Sequence, residues 1–231
     1  MTSFAAFREF TGWKRPGRDH GCKPVEIVPG LWTAHYHDID SVTKLKAATN
    51  GAPIKLVVNS ALCQCEARQG FYGPGVKVME IVLEDDPDPR KYFDQGKQCT
   101  ANCTDPSVSL INRFPGEAID DFTAVSKAVD ATLASGGHAL IHCHASLSRS
   151  VAFILAHLMR TRGLSLLGAA QLMKPKWDAV WPCDRFVDQL RAYEAELAAP
   201  HRFSTAALAG ASIALAVASI AVGIGIGATL K

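Results

Sequence analysis

The sequence predicts an α/β fold, with a mixed, mostly parallel central sheet flanked by helices on both faces. Short apolar runs at Ile54–Asn59, Val76–Leu83 and His138–His142 have the length and composition of buried strands. Between them lie segments with helical periodicity, most clearly Glu117–Ser135, where Ile119, Phe122, Val125, Val129 and Leu133 recur every three or four positions. The run at His138–His142 then passes through a tight loop into a helical stretch from Val151, and sheets of this kind place their ligand sites at such strand ends.

Composition is consistent with one domain carrying appendages. The chain has 231 residues, 48% of them apolar, which is enough for a sizeable core. A net charge of +2 gives no electrostatic reason to expect nucleic acid as a partner. The count of seven cysteines is odd, and Arg8 and Glu9 interrupt the only apolar run near Met1. A reducing, cytoplasmic setting is therefore expected rather than a disulfide framework.

In chain order, residues 1–24 form a polar, mildly basic arm with Arg8, Lys14, Arg15, Arg18 and Lys23, read as flexible. Val25–Thr33 reads as two short strands around a Pro29-Gly30 turn. Asp38 is placed as the cap of a helix with Ile39, Val42 and Leu45 on its apolar face, ending near Asn50-Gly51. The strand Val76–Leu83 runs into an acidic turn containing Asp85, Asp86 and Asp88, and a long insertion follows at about 88–115, with Asp105 inside it. Cys99-x3-Cys103 and Cys63-x-Cys65 do not have the spacing of ordinary zinc modules, so neither a metal nor a cofactor is predicted.

Gly136-Gly137 ends the helix Glu117–Ser135, and the helix that starts near Val151 stops at Gly163. Ser165 caps Leu166–Met173, and Lys174–Asp184 is a loop in which Trp177 and Trp181 are packing residues. Asp184 caps a last helix whose inner stripe is Phe186, Leu190, Tyr193 and Leu197. From Ser204 to Leu230 run 27 residues without a charge, including nine Leu, Ile and Val. About 20 apolar residues span a bilayer, so 204–230 is read as a hydrophobic helix and tail anchor, with the preceding domain facing the cytosol.

The chemistry concentrates in His142-Cys-His-Ala-Ser-Leu-Ser-Arg-Ser150. Successive backbone N–H groups of residues 144–149, opening into a helix N-terminus, form a concave anion site. Arg149 adds a planar fork for two phosphate oxygens. The same positive surroundings favour the thiolate of Cys143, the nucleophilic form of cysteine. A thiolate beneath a phosphate cradle implies phosphoryl transfer through a cysteinyl-phosphate.

This stretch resembles the signature loop of the dual-specificity branch of the cysteine-dependent protein tyrosine phosphatases, His-Cys-x-Ala-Gly-x-Ser-Arg-Ser. The one departure is Ser146, which stands where that family has glycine. The order of strands and helices over about Val25–Leu197 is also similar, as is Phe186-Val-Asp-Gln-Leu190 after Trp181-Pro-Cys-Asp184. The resemblance implies a three-layer phosphatase fold over 25–199. It also implies a phosphorylated protein substrate, with phosphotyrosine and phosphoserine/threonine as the groups hydrolysed.

By that resemblance Cys143 is the nucleophile. Arg149 and the loop residues His144, Ala145, Ser146, Leu147 and Ser148 hold the phosphate, and Ser148 keeps the loop in shape. His142 bonds loop backbone and supports the thiolate, and Ser150 donates to its sulfur. Asp85 matches the general acid by its position after a strand, with Asp86 and Asp105 as the next candidates. Serine at 146 is forced toward positive φ at a cost of about 1–2 kcal/mol, which motivates one alternative, a catalytically weak phosphopeptide-binding module. A second alternative, a phosphoinositide or RNA phosphatase, follows from the membrane-like tail, although the loop has no cation besides Arg149 and a histidine.

Overall fold

The computed structural model describes residues 16–17, 21–61, 65, 67–81 and 118–199. Asp85, Asp86, Asp88 and Asp105, the insertion at 88–115, Cys63, Cys99, Cys103, most of the arm and the tail at 204–230 lie outside the described residues. Met1–Leu197 forms the first of two compact units of the chain.

Among the described residues five strands form one sheet in the order β1-β2-β5-β3-β4: β1 Val25–Val28, β2 Leu31–Thr33, β3 Ile54–Asn59, β4 Lys77–Glu80 and β5 His138–His142. Only β1 and β2 pair antiparallel, and the other three pairings are parallel, so the sheet is mixed and mostly parallel as expected. The β1–β2 turn holds Gly30 at φ 81°, where its N–H donates to Glu26 Oε1 at 2.6 Å. A Cβ at Gly30 would also meet the end of the Leu133 side chain, but it is the positive φ that calls for glycine there.

The period of two along each strand divides the core between the faces. Leu31, Leu56, Val58, Ala139 and Ile141 face one side, together with four helices: α2 Ala118–Ala134, α3 Arg149–Arg162, α4 Leu166–Met173 and α5 Asp184–Ala198. Trp32, Val57 and Leu140 face the other side, packed with Leu45 of α1 (Val42–Ala48) and with Cys65, Ala67 and Tyr72. Ile54 and Leu56 would share a face in a regular strand, but a register shift between them turns Ile54 to the α1 side.

Helix α3 is buried from Arg149 through Met159, so it runs through the core rather than over it. Phe153 meets Phe122 of α2 edge-to-face at 5.4 Å. A polar clamp joins the same two helices: Ser126 Oγ lies 3.0 Å from His157 Nδ1 and accepts from Arg160 Nε at 2.9 Å, while Arg160 also pairs with Asp130. The buried serine hydroxyl is thereby satisfied, which burial requires.

Several boundaries differ from the sequence expectation. Asp38 caps no α-helix. It ends a short 3-10 turn, Tyr36–Asp38, and the N-cap of α1 is Ser41, whose hydroxyl accepts from Lys44 N at 3.2 Å. Ile39 therefore precedes the helix, and Val42 at its start is 37% exposed. Asp184 is the first residue of α5 rather than its cap, and Leu197 is 41% exposed rather than part of the inner stripe. Among the described residues no helix is long and apolar enough to cross a membrane.

Candidate active site

Strand β5 sits at the middle of the sheet and ends at His142, immediately before Cys143. Its end is fixed from both sides. Ser60, just past β3, donates to the His142 carbonyl through its N–H at 2.9 Å and its hydroxyl at 2.8 Å. Tyr36 N, past β2, donates to the His144 carbonyl at 2.9 Å. The cysteine is thus delivered at the C-terminal edge of the parallel strands, between two neighbours that hold its flanking peptides.

Cys143 is 2% exposed. Its Sγ accepts the Ser146 N–H at 3.1 Å and the Ser150 hydroxyl at 3.5 Å. Both donors sit where the loop turns into α3, whose N-terminus contributes a partial positive charge. Two donors thus converge on one sulfur. Arg149, the first residue of α3, is 5% exposed, and its charge is felt at both His142 and Cys65, lowering the proton affinity of each.

Ser146 has φ 49°, the left-handed backbone that the glycine pattern implies. Its hydroxyl donates to the Ala34 carbonyl at 2.6 Å and accepts from Cys143 N at 3.3 Å. The side chain that replaces glycine is therefore built into the loop's framework, and its bonds offset the strain of its backbone.

The loop's carbonyls are tethered one by one. Cys143 O meets His142 Nδ1 at 3.0 Å, and His144 O is taken by Tyr36. Ser146 O accepts from Trp177 Nε1 at 2.9 Å, and Leu147 O from Trp181 N at 2.8 Å. A trans peptide holds its N–H opposite its C=O. The N–H groups of His144, Ala145, Leu147 and Ser148 are thus turned away from those four partners, which is how a loop becomes an anion cradle.

A carbonyl can only accept, so His142 carries its proton on Nδ1 and its Nε2 is a bare acceptor. That Nε2 is buried without a hydrogen-bond partner among the described residues, and the ring stacks on Tyr36 at 5.7 Å. Burial, helped by Arg149, pushes the His142 pKa down to about 4 against the pull of its bond to Cys143 O. It is a neutral residue that orients the loop. Burial also pushes the Cys65 thiol up to about 12, so the second cysteine near Cys143 stays protonated.

The structure brings together Cys143, Arg149, Ser150, His142 and the loop 144–148. Ser148 differs in role from the expectation: its hydroxyl does not bond within the loop but accepts from Cys183 N at 2.9 Å, tying the loop to the segment before α5. Sequence reasoning missed Tyr36, Ser60 and Ala34 as supports, and it treated Trp177 and Trp181 as packing alone. Their common signal is faint, since the partners lie 31 or more positions away. Among the described residues no group of three or more His, Cys, Asp or Glu is arranged to hold a metal ion.

A cysteine beneath converging N–H groups at a helix start, on a mixed sheet with helices on both faces, defines the class of cysteine-dependent phosphatases. The family model for the dual specificity phosphatase catalytic domain matches residues 39–196, and the chain belongs to that family. It is 34% identical over 91 residues to human dual specificity protein phosphatase 1, covering 39% of this chain and 23% of that protein. With Drosophila melanogaster dual specificity protein phosphatase Mpk3 it is 31% identical over 180 residues, covering 75% and 34%. The fold is similar to the crystal structure of human DUSP28, with a TM-score of 0.57, 24% identity, and coverage of 80% and 100%. The chain spans about a quarter to a third of the length of those two curated relatives.

Proposed function

We propose that the chain is a protein phosphatase that hydrolyses phosphotyrosine and phosphoserine/threonine through a cysteinyl-phosphate intermediate. The observation that carries this reading is the Cys143 sulfur accepting from both Ser146 N–H and the Ser150 hydroxyl at the start of α3. In the first step the Cys143 thiolate attacks phosphorus, the P–O bond breaks, and the alkoxide or phenoxide takes a proton from a carboxylic acid. Asp85 is assigned as that acid from its position after the β4 segment. The loop N–H groups and Arg149 hold the three remaining phosphate oxygens as charge builds on them. In the second step a water gives its proton to the same carboxylate and attacks phosphorus. The P–S bond breaks, and Ser150 stabilises the departing thiolate.

The test is hydrolysis of a small aryl phosphate by the full chain, beside Cys143→Ser and without added metal. Turnover that vanishes in Cys143→Ser is the expected result. Turnover that survives the substitution sinks the cysteine mechanism.

A second reading is favoured by Ser146 at φ 49°. In it the loop is a weak catalyst that retains phosphopeptides, and Cys143→Ser would bind them no more tightly than the parent. We also assign 204–230 as a tail anchor from its 27 uncharged residues. Partition of the full chain, but not of 1–203, into membranes is the outcome that supports it.

A further inference from the structure

The pairing of β1 with β2 carries a bulge. Val25 faces Thr33, Glu26 faces Trp32 and Val28 faces Leu31, so Ile27 has no opposite number in β2. A bulge bends its strand and re-aims the backbone groups of the extra residue. The Ile27 carbonyl is taken by Lys176, 149 positions away, whose Nζ donates to it at 2.8 Å and reaches the Glu26 carbonyl at 3.5 Å.

Lys176 is exposed, and an exposed lysine ordinarily keeps its ammonium in water and its side chain free. Seating it on a partly buried carbonyl gives up that freedom, which a charge-assisted bond offsets. The bond joins β1 to residues 174–183, the segment between α4 and α5. From the same segment Trp177 Nε1 donates to Ser146 O at 2.9 Å, Trp181 N to Leu147 O at 2.8 Å and Cys183 N to Ser148 Oγ at 2.9 Å. The segment thus grips the phosphate loop at Ser146, Leu147 and Ser148, while Lys176 pins it to the sheet. Lys176 N and Trp177 N both donate to Met173 O at 3.0 Å, so the lysine and the buried indole share one turn.

We propose that Lys176 is a positioning residue for the phosphate loop: its ammonium, seated on the carbonyl that the β1 bulge frees, fixes the turn from which Trp177 holds the Ser146 carbonyl. The inference rests on the phosphatase reading and adds a support outside the site. β1 is the outermost strand and β5, which delivers Cys143, the middle one, so Lys176 acts through the indole rather than on the substrate. The carbonyl of Ser146 and the N–H of Leu147 belong to one rigid peptide plane. Without the pin that plane is free to tilt, and the Leu147 N–H loses its aim at a bound anion.

The experiment compares the full chain with Lys176→Met, Trp177→Phe and the double variant, under conditions where urea unfolding shows each to be folded. Lys176→Met keeps an unbranched stem and removes the ammonium. Two quantities are read: the dissociation constant of inorganic phosphate, by equilibrium titration, and kcat/KM for a small aryl phosphate. Lys176→Met should weaken phosphate binding and lower kcat/KM by about tenfold each. Made in the Trp177→Phe background, the same substitution should cost less than about twofold, because the group it acts through is already gone.

Parental phosphate affinity in Lys176→Met overturns the proposal. So does a loss as large in the Trp177→Phe background as in the parent, which is what general loosening of the fold would give. If the parent binds phosphate but does not turn over the aryl ester, the phosphatase reading fails separately. The phosphate affinities then decide the part played by Lys176 by the same criteria. A parent that binds no phosphate removes the cradle, and the proposal with it.

Discussion

The indole Nε1 of Trp177 donates to the carbonyl of Ser146 across 2.9 Å, with both residues wholly buried. A tryptophan 31 positions downstream thereby sets the orientation of the most strained peptide in the phosphate loop.

Trp177→Phe keeps most of the apolar volume and strands the Ser146 carbonyl. A buried acceptor left unpaired costs about 1–3 kcal/mol, so the variant should lose that much in urea unfolding. Loop misplacement should also lower kcat/KM by about tenfold or more, since small errors in position are costly to catalysis. Unfolding and kinetics both at parental values would show that the bond contributes nothing.

Ser150→Ala removes the hydroxyl 3.5 Å from Cys143 Sγ. If that hydroxyl aids the departing thiolate, kcat should fall by about 10- to 100-fold while kcat/KM falls less. The rate-limiting step then moves to breakdown of the cysteinyl-phosphate, and rapid mixing should reveal a burst of phenol near one equivalent. Equal losses in kcat and kcat/KM, with no burst, would assign Ser150 to the first step instead.

At position 146 alanine should be worse than glycine. Glycine gives up the bonds to Ala34 O and Cys143 N but relaxes a φ of 49°. Alanine gives up the same bonds and keeps the strain. Ser146→Ala should therefore be less stable than Ser146→Gly by about 1 kcal/mol in chemical denaturation. The reverse order would mean the backbone there is not strained.

His142 makes stability depend on acidity. Its pKa is near 4 in the folded chain, below the ordinary value of 6.5. The unfolded chain thus takes up the proton first, and stability present above pH 6.5 is lost as the pH falls toward 4. The full window amounts to about 3 kcal/mol. Burial lowers the pKa of His157 as well, adding a loss in the same direction. Urea unfolding at pH 7 and pH 4.5 should show the drop, and His142→Gln should flatten it. An unchanged slope in that variant would place the effect elsewhere.

Much of the site could be read from sequence because its working parts are contiguous. A strand, a six-residue loop and a helix start carry Cys143, Arg149 and Ser150, and the need for positive φ at 146 follows from the glycine it replaces. The supports were hidden for the opposite reason. Ala34, Tyr36, Ser60 and Trp177 contribute backbone groups or a single indole N–H from distant segments, and no local pattern marks them. The fold class followed from strand and helix periodicity. The start of α1 did not, because Ser41 competes with Asp38 as a cap and only the chain's exit from the 3-10 turn decides between them. Leu197 continues the helical spacing of α5 past the point where the helix still has a surface to cover.

The outward tethers on the loop's carbonyls have a further consequence. Amide dipoles pointed at a common centre repel one another, and tertiary bonds from Tyr36, His142, Trp177 and Trp181 keep them converged. The resting loop is thus a loaded electrostatic trap whose tension is released by an oxyanion of the right shape, reactive or inert. Inorganic phosphate, the product of the proposed reaction, is such an ion. It should raise the melting temperature of the chain in proportion to the logarithm of its concentration, and so compete with the next substrate.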